Sequence, residues 1–290
     1  MHRIIVEVHN AMKLHYFNVG PEKYPNFGDD INPYLWSHFL PDFFDEVSSE
    51  LFFGIGTILN RESLPEAKRY IVFGSGCGYG APPSLDERWD VRFVRGPLTA
   101  YTLGLPFESA ITDPAILVAS LPGGAVGGQD APAFMPHHWT AVHFGATLRR
   151  TCTRRGIRYL DPREEVPTTL EKLRRSRVLL AEAMHGAIVA DALGIPWVPI
   201  SVSSRILAFK WNDWCATHNL LYNPSRIASL RYSALPNPIR RLRLYVDATL
   251  IAVQLRRTLD HTTPILSDRA VSATLLERVE NEVAKLRVGG

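Results

Sequence analysis

The chain has 290 residues, of which 46% are hydrophobic and 21% are charged, and its net charge is +3. This balance excludes a disordered chain, and the length fits two α/β domains or one large domain. The small positive charge argues against a strong nucleic-acid binder, but it suits an anionic small substrate or a membrane surface.

The first half of the chain, residues 12–121, alternates short apolar runs with glycine-rich turns. Strands are predicted at 14–19, 51–56, 70–76 and 91–96. A helix is predicted to begin near Asp29 or Asp30, and a second helix to begin at Pro97.

The second half, residues 130–220, repeats this alternation behind a Gly- and Pro-rich linker at 121–130. Strands are predicted near 134–138, 157–160, 177–181 and 197–200, and helices at 140–155, 168–176 and 186–193. Strand–turn–helix alternation indicates parallel sheets with helices on both faces. The predicted fold class is α/β, with two Rossmann-like lobes and a ligand cleft at the carboxyl ends of the strands.

The last segment, residues 221–290, lacks the strand pattern and is predicted to be a helical tail. Five apolar residues fall at helical spacing between basic ends: Ile239, Leu242, Val246, Leu250 and Val253. Such a helix suits docking on anionic lipid, and the alternative is a helix packed back onto the first lobe. A second amphipathic helix is predicted at 275–286.

The three cysteines, Cys77, Cys152 and Cys215, have no metal-ligand spacing and predict reduced thiols in a cytosolic protein. The sequence contains no apolar run long enough for a signal peptide or a membrane-spanning helix. We therefore expect a cytoplasmic protein that works at most at the inner face of the cell membrane.

Two strand ends carry the strongest candidates for chemistry. His185 lies where a strand turns into a helix, so helix amides beside it favour an anion, and it could donate a proton or contact a phosphate. Arg95 lies at the equivalent point of the first half and offers a planar fork for a carboxylate or phosphate. The alternatives are a capping histidine and a surface ion pair.

Two glycine-containing segments add further candidates. Asp29 and Asp30, in the run Asn26-Phe27-Gly28-Asp29-Asp30, could serve as a general base or bind sugar hydroxyls, or one could simply cap a helix. Gly76, in Gly74-Ser75-Gly76, could help to cradle a phosphate, although so short a pattern is unspecific.

The second half supplies additional cations and rings. His137 and His138 end a strand without carboxylates or cysteines at ligand spacing, so an acid–base or phosphate role for one of them is favoured over metal binding. Lys210 supplies a cation. Its neighbours Trp211 and Trp214 could stack on a sugar or belong to the core.

Together, in this order, five motifs resemble the polysaccharide pyruvyltransferase family, most closely the ketal pyruvate transferases of bacterial exopolysaccharides. They are Asn26–Asp30, Gly74–Gly76, Arg95-Gly96-Pro97, Asp113-Pro114-Ala115 and Ala181–Gly186, and the resemblance spans roughly residues 12 to 220. It implies a two-lobed, GT-B-like fold and phosphoenolpyruvate as donor, with donor-binding roles for Arg95 and His185. Many relatives carry an arginine where this chain has Ala183, and Lys210 or Arg205 is the expected replacement.

The function expected from this resemblance is transfer of the enolpyruvyl group onto two sugar hydroxyls as a ketal. His185 is the expected acid or phosphate contact, and Asp29 or Asp30 the base. Arg95, Lys210, Arg205, His137, Gly76 and Asn26 are the expected substrate-binding residues. The expected partners are phosphoenolpyruvate, a lipid-linked oligosaccharide or polysaccharide acceptor and the membrane surface, without metal, cofactor or nucleic acid. The alternatives are a two-lobed glycosyltransferase that uses a nucleotide sugar, and a non-catalytic assembly protein.

Overall fold

A four-stranded parallel sheet forms the first half of the fold. The computed structural model describes residues 12–17, 25–46, 49–123, 131–227 and 237–289. The strands lie side by side in chain order: β1 (Lys13–His15), β2 (Glu50–Phe53), β3 (Arg69–Phe73) and β4 (Trp89–Phe93). Helix α1 (Phe27–Phe39) connects β1 to β2, and helix α2 (Pro97–Thr102) follows β4, with Pro97 as its first residue. A 3₁₀ helix, Pro114–Ser120, closes this half.

The alternation of strand and helix is interrupted after β2 and β3. The connection 54–68 contains only the 3₁₀ turn Arg61–Ser63, and the connection 74–88 contains no helix. Glycine stands at every second position from Gly74 to Gly80 and two prolines follow, which disfavours a helix strongly. The strand–turn–helix alternation that the sequence indicates is therefore incomplete at these two places, for which no helix was predicted.

Side chains of the first sheet alternate between two cores, as expected for a pleated strand. Phe52 and Phe73 pack in the central core against α1. Phe53 and Val72 point to the opposite face, where Ala100 of α2 and the loop residues cover them. Both faces are buried at the two inner strands, which explains the continuous apolar runs at residues 51–53 of β2 and 70–73 of β3.

The second sheet has five parallel strands in the order β6-β5-β7-β8-β9. They are β5 (Ala131–Met135), β6 (Arg158–Tyr159), β7 (Ser176–Ala181), β8 (Trp197–Ser201) and β9 (Ser225–Arg226). The helices of this half are α3 (His138–Thr153), α4 (Val166–Arg174), α5 (Met184–Ala192) and α6 (Ala208–Thr217). All were predicted except β9, whose two residues are too few for a recognisable pattern, and α6, a helix considered only in the interpretation that places Trp211 and Trp214 in the core.

Two long helices end the chain and pack on different halves. Helix α7 (Asn237–His261) lies on α3 and buries Ala248 and Ile251 in the core of the second half. Helix α8 (Arg269–Gly289) returns to the first half, where the Arg287 side chain donates a hydrogen bond to the Phe39 carbonyl oxygen at 2.8 Å. Within the described residues, no helix is long and apolar enough to cross a membrane.

The central core joins the two sheets. It contains Phe52 and Phe73 from the first sheet and Leu179 and Trp197 from the second. Helix α1 also begins with a hydrogen bond from Phe27 N to the Pro162 carbonyl oxygen at 2.7 Å. Most of the predicted linker, from residue 124 onward, lies outside the described residues, and the domain boundaries stay a prediction.

Candidate functional site

An imidazole and a carboxylate face each other at the meeting point of the two halves. Nε2 of His185, in the first turn of α5, lies 3.5 Å from Oδ2 of Asp113. Asp113 is completely buried, whereas 14% of the His185 side chain is exposed. The other Asp113 oxygen, Oδ1, caps the 3₁₀ helix by accepting from Ala115 N at 3.0 Å. The buried carboxylate therefore faces the imidazole at ion-pair distance, without a hydrogen bond between the two groups.

Gly28 brings α1 directly against this imidazole. A Cβ atom at Gly28 would lie 2.2 Å from Nδ1 of His185, a distance at which atoms overlap. Only a residue without a side chain allows α1 and α5 to approach so closely. The first and last of the five ordered motifs are therefore in contact.

The two aspartates that follow Gly28 have different roles in the structure. The backbone N of Asn26 donates to Oδ2 of Asp30 at 2.7 Å, so Asp30 caps the start of α1. The amide Nδ2 of Asn26 donates to Oδ2 of Asp29 at 2.6 Å, and Asp29 is 9% exposed. One asparagine thus holds both carboxylates, and only Asp29 is buried.

Lys210, on α6, connects these groups electrostatically. Burial, reinforced by the positive charge of Arg95, lowers the pKa of this lysine to about 8, against the opposing effect of Asp29 and Asp113. Lys210 therefore lies within electrostatic range of both carboxylates and of Arg95. It remains predominantly protonated at neutral pH.

Arg95 is completely buried and forms an ion pair with Asp213 of α6. Its Nε donates to Oδ2 of Asp213 at 3.0 Å, Nη1 to Oγ1 of Thr57 at 2.8 Å, and Nη2 to the Cys77 carbonyl oxygen at 2.9 Å. Asp213 also accepts from both the backbone N and Oγ1 of Thr99. This network joins α2 to α6 and thereby links the two halves.

Two glycines leave room for the Arg95–Asp213 pair. A Cβ atom at Gly76 would lie 2.2 Å from Cζ of Arg95, and one at Gly96 would lie 2.0 Å from the Asp213 carbonyl oxygen. The space beside Gly76 is therefore filled by the guanidinium group. Both Arg95 and Gly76 have a packing role that the sequence analysis does not predict.

His137 is held as a neutral imidazole at the start of α3. Burial lowers its pKa to about 3, and the positive charges of Lys210, His138 and Arg205 add to this effect. Its Nδ1 accepts a hydrogen bond from Trp139 N at 3.3 Å, which leaves the ring proton on Nε2. His137 is thus a neutral N–H donor with cations around it.

Glu182 fixes the strand ends that carry His137 and His185. Its side chain is completely buried, which raises its pKa. Oε2 accepts from His137 N at 2.9 Å, and Oε1 accepts from Val202 N at 3.1 Å. The carboxyl group of Glu182, directly after β7, therefore binds the backbone just beyond the ends of β5 and β8.

No family model matches the chain. The succinoglycan biosynthesis protein ExoV of Rhizobium meliloti (strain 1021) is 41% identical to it over 219 residues, which cover 74% of this chain and 68% of that protein. This chain belongs to the polysaccharide pyruvyltransferase family. The family resemblance seen in the five ordered motifs is thus matched by sequence identity over most of the chain.

Ala183, where the family resemblance leads us to expect an arginine, directly precedes α5. The two cations expected to replace that arginine occupy different places. Lys210 lies near Asp29 and Asp113, whereas the exposed guanidinium group of Arg205 stacks 4.8 Å above the ring of Trp139. The charge of Arg205 acts on His137, so both cations are near the same strand ends.

Trp211 and Trp214 belong to the core of this pyruvyltransferase-family chain. Both indoles are completely buried beside Trp197. Of the two interpretations left open by the sequence, packing is the one that the structure supports, because a buried ring offers no face to a sugar.

Sequence reasoning assigned no site role to Asp113, Asp213, Glu182 or Tyr79. Asp113 and Glu182 stand within the recognised motifs, and each follows an apolar run, which is a usable signal. Tyr79 lies in the glycine-rich connection; burial raises its pKa, Asp29 adds to this, and Arg95 opposes it. The described residues contain no group of histidine, cysteine, aspartate and glutamate side chains arranged to bind a metal ion.

Proposed function

We propose that this chain transfers the enolpyruvyl group of phosphoenolpyruvate onto two hydroxyls of a sugar in an exopolysaccharide repeat unit, forming a pyruvate ketal. The relative's name, a succinoglycan biosynthesis protein, supports a role in exopolysaccharide synthesis. One observation carries the proposal: His185 lies 3.5 Å from Asp113 in a cluster that also includes Lys210 and Asp29. Asp113 therefore links the imidazole to a cation, Lys210, that is also within electrostatic range of a second carboxylate.

The donor carries a carboxylate and a phosphate on a small frame, so its binding requires compensating positive charge. We assign direct contacts to Lys210 and Arg205 and a hydrogen bond to the neutral His137. Arg95 adds positive potential from its buried position, reduced by its pairing with Asp213. The amides at the start of α5 favour the same anion.

The chemistry begins with proton transfer to the methylene carbon of the donor, which becomes a methyl group and leaves C2 electrophilic. His185 is assigned as this acid, because its imidazole is partly exposed and lies 3.5 Å from the buried carboxylate of Asp113. A sugar hydroxyl adds to C2 and gives its proton to a base. Phosphate then leaves with its C–O bond electrons, and a second hydroxyl attacks C2 and loses its proton to close the ketal.

Asp29 is the assigned base. It is buried and held by Asn26 Nδ2, whereas the carboxylate of Asp30 caps α1. The Asp29 carboxylate lies within electrostatic range of Lys210 and can accept the hydroxyl proton.

His185→Gln separates the acid role from a phosphate contact. Glutamine keeps a hydrogen-bond donor but cannot transfer a proton. If His185 is the acid, kcat falls while phosphoenolpyruvate still binds with unchanged affinity. A variant that loses donor binding instead assigns His185 to the phosphate.

We also propose that the two sheets form the lobes of a GT-B-like fold, with residues 12–121 and 130–220 as the lobes and 221–290 as the tail. The support is that Gly28, Asp29 and Asp113 come from the first half, and His185 and Lys210 from the second. A ligand bound among them would be held by both halves.

Thermal unfolding against a panel of anions tests the proposal. Phosphoenolpyruvate should raise the melting temperature of the full chain, and UDP and GDP should not. Lys210→Met should abolish this shift, whereas Lys172→Met, on α4 and paired with Glu164 at 2.5 Å, should retain it. Release of phosphate only when a sugar acceptor is added would establish the transfer. Stabilisation by nucleotides alone would favour a glycosyltransferase, and no stabilisation by any anion would favour a non-catalytic role.

A further inference from the structure

Helix α7 has two apolar faces on opposite sides. One face is buried against the second half of the fold and consists of Ala248, Ile251, Ala252 and Leu255. The other faces away from the protein: Ile239 is 55% exposed, Leu242 67%, Val246 47% and Leu250 51%. At about 100° per residue, these four side chains fall on one side of the helix. We call them the exposed stripe.

The fold itself does not use the exposed stripe. The helix already packs its opposite face into the core, and the side chains of the stripe do not belong to that core. Four large apolar side chains in a row, over about 16 Å of helix, form a contiguous patch rather than scattered surface residues. Such patches on soluble proteins mark sites of interaction.

Positive charge borders the stripe. Helix α7 contains five arginines and two aspartates. At about 100° per residue, the exposed Arg243 and Arg257 fall on the side of the stripe, with Nε of Arg243 3.9 Å from Oδ2 of Asp247. Arg154, at the end of α3, donates to the hydroxyl of Tyr245 at 2.6 Å, which adds a cation from a second helix. An apolar row with arginines at its border matches a surface that offers both acyl chains and anionic headgroups.

We propose that the exposed stripe docks this chain on an anionic lipid surface, with α7 lying in the plane of the membrane. The charge distribution favours lipid over a second copy of the chain, because two apposed stripes would bring the arginines of both copies together. The inference is independent of the proposed chemistry, since it concerns a face of the protein that contains none of the site residues.

Vesicle flotation of the full chain tests the proposal. We compare vesicles of phosphatidylcholine alone with vesicles that also contain phosphatidylglycerol. The chain should float with the anionic vesicles, and Leu242→Glu/Val246→Glu/Leu250→Glu should reduce the bound fraction by at least about tenfold. The matched control, Phe107→Glu/Leu221→Glu/Val288→Glu, changes the charge equally at residues that are 64%, 86% and 88% exposed, and should float normally.

A second variant tests the charged border and also covers the case in which the stripe variant fails to fold. Arg154→Gln/Arg243→Gln/Arg257→Gln keeps the stripe and should weaken flotation several-fold, with a smaller dependence on salt. The proposal is overturned if the folded stripe variant floats like the wild type, or if the wild type floats equally with neutral vesicles. It is also overturned if the wild type floats with neither vesicle and light scattering instead shows stripe-dependent self-association.

Discussion

Adding a single methyl group at Gly28 should disable His185 while the fold remains intact. The new Cβ atom would lie 2.2 Å from Nδ1, 3.1 Å from Cγ and 3.2 Å from Cε1 of the imidazole. Ordinary van der Waals contact begins at 3.4 Å, so the ring must move by roughly 1.2 Å. Alanine otherwise favours a helix over glycine by about 1 kcal/mol, which limits the loss of stability.

The expected effect is large on catalysis and small on folding. A displacement of about 1 Å in a reacting group can reduce the rate about 100-fold, equivalent to about 2.7 kcal/mol in the activation free energy. Gly28→Ala should therefore lower kcat/KM for ketal formation by about this factor. Its urea midpoint should stay near that of the wild type.

The matched control is Gly145→Ala, the same substitution in helix α3, where the new Cβ atom would meet Oη of Tyr159 at 2.8 Å. This variant should keep its full activity, because neither residue belongs to the site. A double-mutant cycle with His185→Ala isolates the contact: without the imidazole, Gly28→Ala should cost no further activity. Wild-type activity of Gly28→Ala, or losses that simply add in the double variant, would refute the reasoning.

Three further outcomes follow from buried charges. Asp213→Asn leaves the Arg95 charge without its carboxylate and should reduce the free energy of unfolding by about 3–5 kcal/mol, measured by urea denaturation; an unchanged midpoint would contradict the buried ion pair. Because the pKa of Lys210 is lowered to about 8, stabilisation by phosphoenolpyruvate should weaken as the pH rises through about 8, and Lys210→Met should show no such step. Burial lowers the pKa of His137 from 6.5 to about 3, so that, as the pH falls, the unfolded chain binds a proton at a higher pH than the folded chain. The stability contributed by neutral His137 should therefore be present above pH 6.5 and be lost as the pH falls below that value. On the same acidification, the urea midpoint of His137→Gln should fall less than that of the wild type.

The strands and helices near the site could be predicted because their ends carry local signals. The apolar run at 177–181 forms most of β7. Gly194 lies just beyond the end of α5 and has the left-handed conformation that favours glycine. The helical spacing of the stripe residues was recognisable in the sequence, but the sequence did not show whether this face of α7 points towards the core or towards solvent. A period reveals that apolar residues share a face, and it does not reveal whether the fold or another surface covers that face.

The partnerships within the site could not be predicted, because they join residues far apart in the chain. Arg95 and Asp213 are separated by 118 positions, and no local pattern marks Asp213 as the partner. The contact of Gly28 with His185 is equally invisible, since glycine in a helix start has many explanations. The family resemblance identified Arg95 and His185, but it did not indicate that one is buried in an ion pair and the other partly exposed.

The buried ion pair also changes how the Arg-Gly-Pro motif contributes to the site. Asp213 stands three residues after Lys210 on α6, so the two side chains are neighbours on the helix surface. By binding Asp213, Arg95 fixes the position and rotation of α6, and Gly96 permits the close approach that this requires. The positive charge of Arg95 also contributes to the lowered pKa of Lys210. Arg95 therefore acts as a positioning residue, because it places Lys210 near Asp29 and Asp113 and lowers its pKa. A surface arginine that bound the donor directly would have neither effect.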